Sequence, residues 1–231
     1  MKKLRLFILL AFVLCIAKYC ISQPLAVVTS AKAYKSSLLV GNNNVLIDVK
    51  NLIPSIILDL KYATQNNFTG INLYGNCTHT YMRTNPAHSL YKIQQFLKEK
   101  GLGLKIFDAY RPYSVTKKMW NLIQDERYVA NPKNGSGHNK GISVDLTLID
   151  LSTGTELDMG TAFDNFTDSA HHAFTNNFSK NIIENRKLLK TTMEQFGFKA
   201  LETEWWHYAW ISEEKYEVLD LSFKVLKKLV R

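Results

Sequence analysis

Two short segments far apart in this chain limit how it can fold. SGHNKGISVD at 136–145 supplies His138 and Asp145, and EWWH at 204–207 supplies Glu204 and His207. A hydrolytic zinc site needs three protein ligands, one open position for water, and a nearby carboxylate to manage that water's proton. Two imidazoles and one carboxylate would hold the metal, leaving the other carboxylate as base. Neither segment settles anything alone. Together they require a fold that makes them meet.

The local sequence around each residue sharpens this. His138 sits between Gly137 and Gly141, in a turn that can bend its side chain toward the strand that follows. That strand, Ile142–Asp150, alternates: Ile142, Val144, Leu146 and Leu148 point one way, Ser143, Asp145 and Thr147 the other. The spacing predicts a half-buried strand with Asp145 opposite the apolar face. Glu204 and His207 are an odd number of residues apart, which in a regular strand sends them to opposite faces. A turn or bulge near Trp205 and Trp206 is needed for both to face a metal. Tryptophan bulk there would dry the site and raise the proton affinity of Glu204, as a general base requires. Arg111 follows the strand-like LKIFDAY and precedes Pro112. A permanent cation beside a zinc can stabilise an oxyanion, although a surface arginine in a turn would look the same.

At 231 residues, 46% hydrophobic and 21% charged, the chain has the size and composition of one packed domain. Ile56–Tyr62 reads as a strand, 63–76 as a polar loop, and 87–103 as a helix with apolar residues at Leu90, Ile93, Phe96 and Leu97 closed by Gly101. A strand follows at 104–110, then a helix at 114–126 with Ser114 as candidate N-cap. Residues 131–140 read as a loop, 181–197 as a helix ending at Gly197, and the basic C-terminal FKVLKKLVR as a final helix packed by its apolar side. Strands and helices are interspersed without a βαβ rhythm, repeat or linker. The expected class is α+β: a single domain with a central, mostly antiparallel sheet flanked by helices.

The N-terminus has a basic start (MKKLR), one apolar run (LFILLAFVLCIA) and a small-residue end before Gln23. That is the layout of a secretory signal peptide over 1–22, with the domain at 23–231 and an exported, periplasmic or extracellular destination. The run is shorter than the ~20 residues of a spanning helix, so membrane association requires an uncleaved segment. Removing the four basic residues of that segment from the formal +9 leaves +5. No stripe of basic residues interleaved with aromatics marks a nucleic-acid surface. Only Cys77 survives cleavage, so no internal disulfide is available and core and metal must hold the fold. Nothing in the sequence sets an oligomeric state.

DLKYATQNNFTG (59–70), DAYRP (108–112), SGHNKGISVDLTL (136–148), MGTAFDNF and SAHH (159–172) and EWWHY (204–208) together resemble, in the same order, the D-alanyl-D-alanine dipeptidases, related to zinc DD-carboxypeptidases. The resemblance covers roughly residues 45–210 and implies the DD-peptidase fold that hedgehog signalling domains share. It implies His138, Asp145 and His207 as ligands of one Zn2+ per chain, Glu204 as catalytic base and Arg111 as the transition-state cation. It also implies that Tyr62, Ser136 and Asp164 line the pocket for a small D,D-dipeptide. A fixed carboxylate at 164 suits a free ammonium and rejects peptides blocked at that end. His171 and His172 are adjacent and tempting, but with the zinc already supplied they are expected at the pocket edge or in the structure. Two other readings share these motifs: a DD- or LD-carboxypeptidase trimming longer wall peptides, and a non-enzymatic, zinc-stabilised binding domain. The export segment departs from the family's cytoplasmic resistance enzymes and favours scavenging or wall recycling.

Overall fold

The computed structural model describes residues 25–39 and 44–230, so the expected signal segment lies outside the described residues. The first half of the chain forms β1 (Val27–Val28), α1 (Ala31–Ser37), β2 (Leu46–Asp48), α2 (Val49–Leu52), β3 (Ile57–Leu58), β4 (Tyr81–Arg83), α3 (Thr84–Lys98) and β5 (Leu102–Asp108). The second half forms α4 (Tyr113–Leu122), α5 (Gly137–Lys140), β6 (Ser143–Asp150), α6 (Lys180–Gln195), β7 (Phe198–Leu201), β8 (Glu204–Trp210), β9 (Val218–Leu219) and α7 (Phe223–Leu229). Among the described residues no helix is long and apolar enough to cross a membrane.

Five strands make the central sheet in the order β3-β5-β6-β8-β7. Only β3 and β5 run parallel; every other neighbouring pair is antiparallel, so the architecture is the α+β one expected. Leu104 and Ile106 of β5 and Val144, Leu146 and Leu148 of β6 form one core with Leu90, Ile93 and Leu97 of α3 and Leu189 and Met193 of α6. All are fully buried, and each such side chain contributes about 1.5–3 kcal/mol. Two smaller strand pairs lie outside this sheet: β2 with β4, antiparallel, and β1 with β9, parallel. The C-terminal α7 buries Phe223 and Leu226 and leaves its lysines outward, as expected.

Several local expectations need correction. The strand foreseen over 56–62 stops at Leu58, and Lys61–Ala63 form a 3-10 turn that carries Tyr62. Ser114 does not cap α4. Pro112 stands at the N-cap, and Asp220 accepts hydrogen bonds from both the backbone N–H and the hydroxyl of Ser114 (3.0 and 2.7 Å). The loop foreseen to run through Lys140 closes in the one-turn α5, with Ser136 and Asn139 forming a reciprocal capping box. On β6 the alternation holds, but the strand is not half-exposed: Ser143, Asp145 and Thr147 are as buried as the apolar face. Alternation reports only which side chains are polar, and here α5 sets Gly137 against Ser143 and His138 against Asp145.

Two irregularities shape one end of the sheet. Between β5 and β6 the register slips at Phe107, so that Ile106 pairs with Leu146 but Asp108 lies opposite Asp145. Between β7 and β8, Ala200 pairs with Tyr208 and Leu201 with Glu204, leaving Trp205, Trp206 and His207 without a counterpart on β7. Bulges bend a strand and re-aim its side chains. This one is the break that the odd spacing of Glu204 and His207 requires.

Candidate active site

Asp108, Asp145 and His207 stand side by side on β5, β6 and β8, because Asp145 is directly opposite both neighbours. Cross-strand partners share a face of the sheet. His138 reaches the same place from α5. Its Nδ1 is 2.7 Å from the carbonyl oxygen of Ala109; a carbonyl can only accept, so Nδ1 carries a proton, and in a neutral ring Nε2 is then the nitrogen with the lone pair. That Nε2 lies 3.2 Å from His207 Nδ1 and 3.4 Å from Asp145 Oδ2, and His207 Nδ1 lies 2.8 Å from Asp145 Oδ1.

Within this group one ligand atom from each of the three residues falls within 4.8 Å of the others. Lone pairs aimed at a common point repel unless a proton or a cation lies between them. Two imidazole nitrogens and a carboxylate, with one ring oriented from behind by a carbonyl, fit a zinc ion. The electrostatics agree. Burial opposes the charge of Asp145, but the imidazoles of His138 and His207 outweigh it and hold the carboxyl well below the usual range. Burial pulls His207 down, against Asp145, toward the neutral form that binds metals.

The other expected site residues surround this cluster. Arg111, Ser136, Asp164 and Glu204 line the same cavity of about 280 Å³, with Tyr62 in its wall. Glu204 is buried, and that burial, followed by the charges of Asp145 and Asp164, pushes its carboxyl well above the ordinary range. Burial would depress the Arg111 guanidinium, but Asp108 first, and Tyr62, Tyr74 and Asp145 behind it, together outweigh that and keep the group firmly charged. Its Nε donates to Asp108 Oδ2 at 2.9 Å, and a second nitrogen lies 2.8 Å from the same oxygen. The Tyr62 hydroxyl donates to both oxygens of Asp164 (3.0 and 3.1 Å), and its ring lies under the Arg111 guanidinium. Ser136 spends its hydroxyl on the Asn139 N–H at 3.2 Å, so its side chain also builds α5.

Three residues without a role in the sequence reading prove to support the site. Asp108 anchors Arg111, and Tyr74 donates to the second oxygen of Asp108 at 2.8 Å. Asn139 ties α5 to the Arg111 carbonyl at 2.9 Å and to Thr116 Oγ1 at 2.8 Å. The signal for Asp108 was present: a carboxylate ending an apolar strand three residues before an arginine. Tyr74 and Asn139 gave none, because their partners are distant in sequence. His171 and His172 lie outside the three-residue cluster, and His172 lines a separate hollow with Lys190 and Glu202.

The approach of α5 to β6 leaves no room for a side chain at Gly137, where a Cβ would lie 2.0 Å from Ser143 Oγ. Gly137→Ala is therefore expected to cost about 1–3 kcal/mol and to weaken metal binding, since His138 is the next residue. Thermal melts with zinc titration check this; wild-type values in both would refute the packing argument.

Comparison with known proteins agrees with this geometry. The sequence pattern described as D-ala-D-ala dipeptidase matches residues 42–226. A D-alanyl-D-alanine dipeptidase of Escherichia coli (strain K12) is 33% identical over 174 residues, 75% of this chain and 89% of that protein. One from Enterococcus faecium is 34% identical over 184 residues, 71% of this chain and 90% of that protein. A solved LD-carboxypeptidase, LdcB, is a remote likeness, with a TM-score of 0.38 and 20% identity over 64% of each chain. With one family's pattern running through sheet and cavity alike, the chain belongs to the D-ala-D-ala dipeptidase family.

Proposed function

We propose that this chain is a zinc-dependent dipeptidase that hydrolyses D-Ala-D-Ala and, after export, acts on dipeptide released in wall turnover. One observation carries the reading: Glu204 and Arg111 share one small cavity with the His138, Asp145 and His207 donor set. A purely structural metal needs neither a proton-accepting carboxylate nor a buried cation beside it. The cavity is at the small end of ligand sites, which suits a dipeptide better than a long wall peptide. The names and coverage of the relatives support the same substrate class.

His138, Asp145 and His207 would hold the zinc, which when bound supplies Lewis acidity that acidifies water and polarises a carbonyl. Glu204, with its raised proton affinity, takes a proton from water and returns it to the leaving amine. Arg111, fixed by Asp108, directs its remaining N–H groups at the developing oxyanion. Asp164, held by Tyr62, pairs with the substrate's free ammonium. The test is a mass-spectrometric assay of purified, zinc-loaded protein on D-Ala-D-Ala, its L,L isomer and the N-acetylated D,D form. Cleavage of D-Ala-D-Ala with refusal of the L,L isomer and only slow turnover of the N-acetylated form supports the reading; efficient cleavage of the N-acetylated form shifts it to a carboxypeptidase. The export part is tested separately, by whether the protein recovered outside the cytoplasm begins near Gln23.

The pocket carboxylate gives a pH signature. Burial, then the charge of Asp145, raises Asp164 to about 7. The ionised form binds the ammonium, so KM rises as pH falls through that value. A cation beside Asp145 cancels part of the push and moves the midpoint lower. Asp164→Asn is expected to raise KM and remove its dependence on acid pH. A variant whose KM still climbs in acid as the wild type does would exclude Asp164 from the ammonium site.

A further inference from the structure

We propose that Arg186, on α6, is a positioning residue for substrate selection: with Thr161 as a second tether, it staples the loop that presents Asp164 to the cavity. The inference rests on the reading of Asp164 as the ammonium-binding group.

Arg186 is buried at 3% exposure, and its three hydrogen bonds all go to backbone carbonyls. Nε donates to Met159 O at 2.6 Å, while the terminal nitrogens donate to His171 O at 3.0 Å and Ser169 O at 2.9 Å. In the long connection between β6 and α6, Met159 precedes Asp164 and Ser169 and His171 follow it, so one planar fork holds both ends of the 159–171 loop that carries Asp164. The start is tight as well. Gly160 lies so close to the start of α6 and the residues leading into it that a Cβ there would be 2.7 Å from Phe178 and 2.9 Å from Ile182. On the other side Thr161 Oγ1 accepts from the indole N–H of Trp205 at 2.8 Å, tying the loop to the bulge beside Glu204.

Between these anchors, Asp164 adopts a left-handed backbone with φ 59°. That conformation is costly outside glycine and persists where the surroundings over-determine it. Here the surroundings are the two stapled ends, the Trp205 tether and the Tyr62 hydroxyl. If the staple is released, the tip can relax and the carboxylate leaves its place relative to the metal cluster. A lysine cannot substitute, because a single ammonium lacks the fork that spans carbonyls from both ends.

The experiment compares wild type, Arg186→Lys and Asp164→Asn on D-Ala-D-Ala and its N-acetylated form. Hydrogen exchange across residues 160–170 is followed in parallel. Misplacement of about 1 Å costs up to about 10²-fold. Arg186→Lys is therefore expected to lower kcat/KM for the free dipeptide by about 10- to 100-fold, carried by KM. Activity on the N-acetylated form stays unchanged, so the ratio between the two collapses as in Asp164→Asn, and exchange quickens in the loop alone. General destabilisation would lower both substrates together and quicken exchange throughout. A ratio that falls in Asp164→Asn but holds in Arg186→Lys overturns the proposal and leaves the ammonium reading standing. A ratio that holds in Asp164→Asn defeats that reading, and the proposal with it. Should Arg186→Lys fail to fold, Thr161→Val loosens the same loop without touching α6; an unchanged ratio there also overturns the proposal.

Discussion

Glu204→Gln is expected to lower kcat by about 10²–10⁴-fold while the protein still binds its zinc. The carboxylate lines the cavity but is not one of the three clustered donors, so its loss should not empty the site. Its surroundings favour protonation, through burial first and then the charges of Asp145 and Asp164. A group that holds protons this strongly is suited to take one from water and hand it to an amine. Glutamine keeps the shape and loses the basicity, which separates chemistry from packing. Steady-state kinetics with metal analysis of the same preparation decide the matter. Activity within a few-fold of wild type would remove Glu204 from the mechanism, and loss of zinc would make it a ligand instead.

Arg111→Ala should cost both rate and stability, and the two can be separated. Losing one oxyanion donor typically costs about 10²–10³-fold in kcat. Removing the guanidinium also strands Asp108, which is fully buried and hydrogen-bonded to it. Breaking a buried pair from one side costs about 3–5 kcal/mol. Adding Asp108→Asn to Arg111→Ala removes the stranded charge, so the double variant should regain most of the stability and none of the rate. Denaturant melts and kinetics well below the melting temperature test this. Recovery of activity with stability would mean that Arg111 acts only on the fold. Arg111→Lys should fall between, because an ammonium keeps the charge but loses the fork.

The sequence displays the residues that carry chemistry more plainly than the ones that aim them. His138, Asp145, Glu204 and His207 stand out by type and spacing, and the structure brings all four to one cavity. The need for a break between Glu204 and His207 was also legible, since a period of two forbids the pair otherwise. The slip at Phe107, which sets Asp108 opposite Asp145, was not. A register shift depends on the neighbouring strand, and strand neighbours are not written locally. The same reason hides the contact of Asp220 with Ser114 at the start of α4, whose partners lie 106 residues apart. Burial of the polar face of β6 was misjudged because alternation records side-chain chemistry and says nothing of what packs above it.

The pairing of β1 with β9 carries a temporal consequence. Val27 bonds into a ladder with Val218, and Val28 with Leu219, so one of the earliest strands synthesised waits for one of the last. Arg83 reinforces the closure by donating to the carbonyls of Asn44, Lys140 and Glu217. Contacts so distant in sequence form slowly, because the entropy of closing the long loop is lost before the contact returns anything. The ladder therefore cannot lock until Val218 and Leu219 have been synthesised, long after their partners Val27 and Val28.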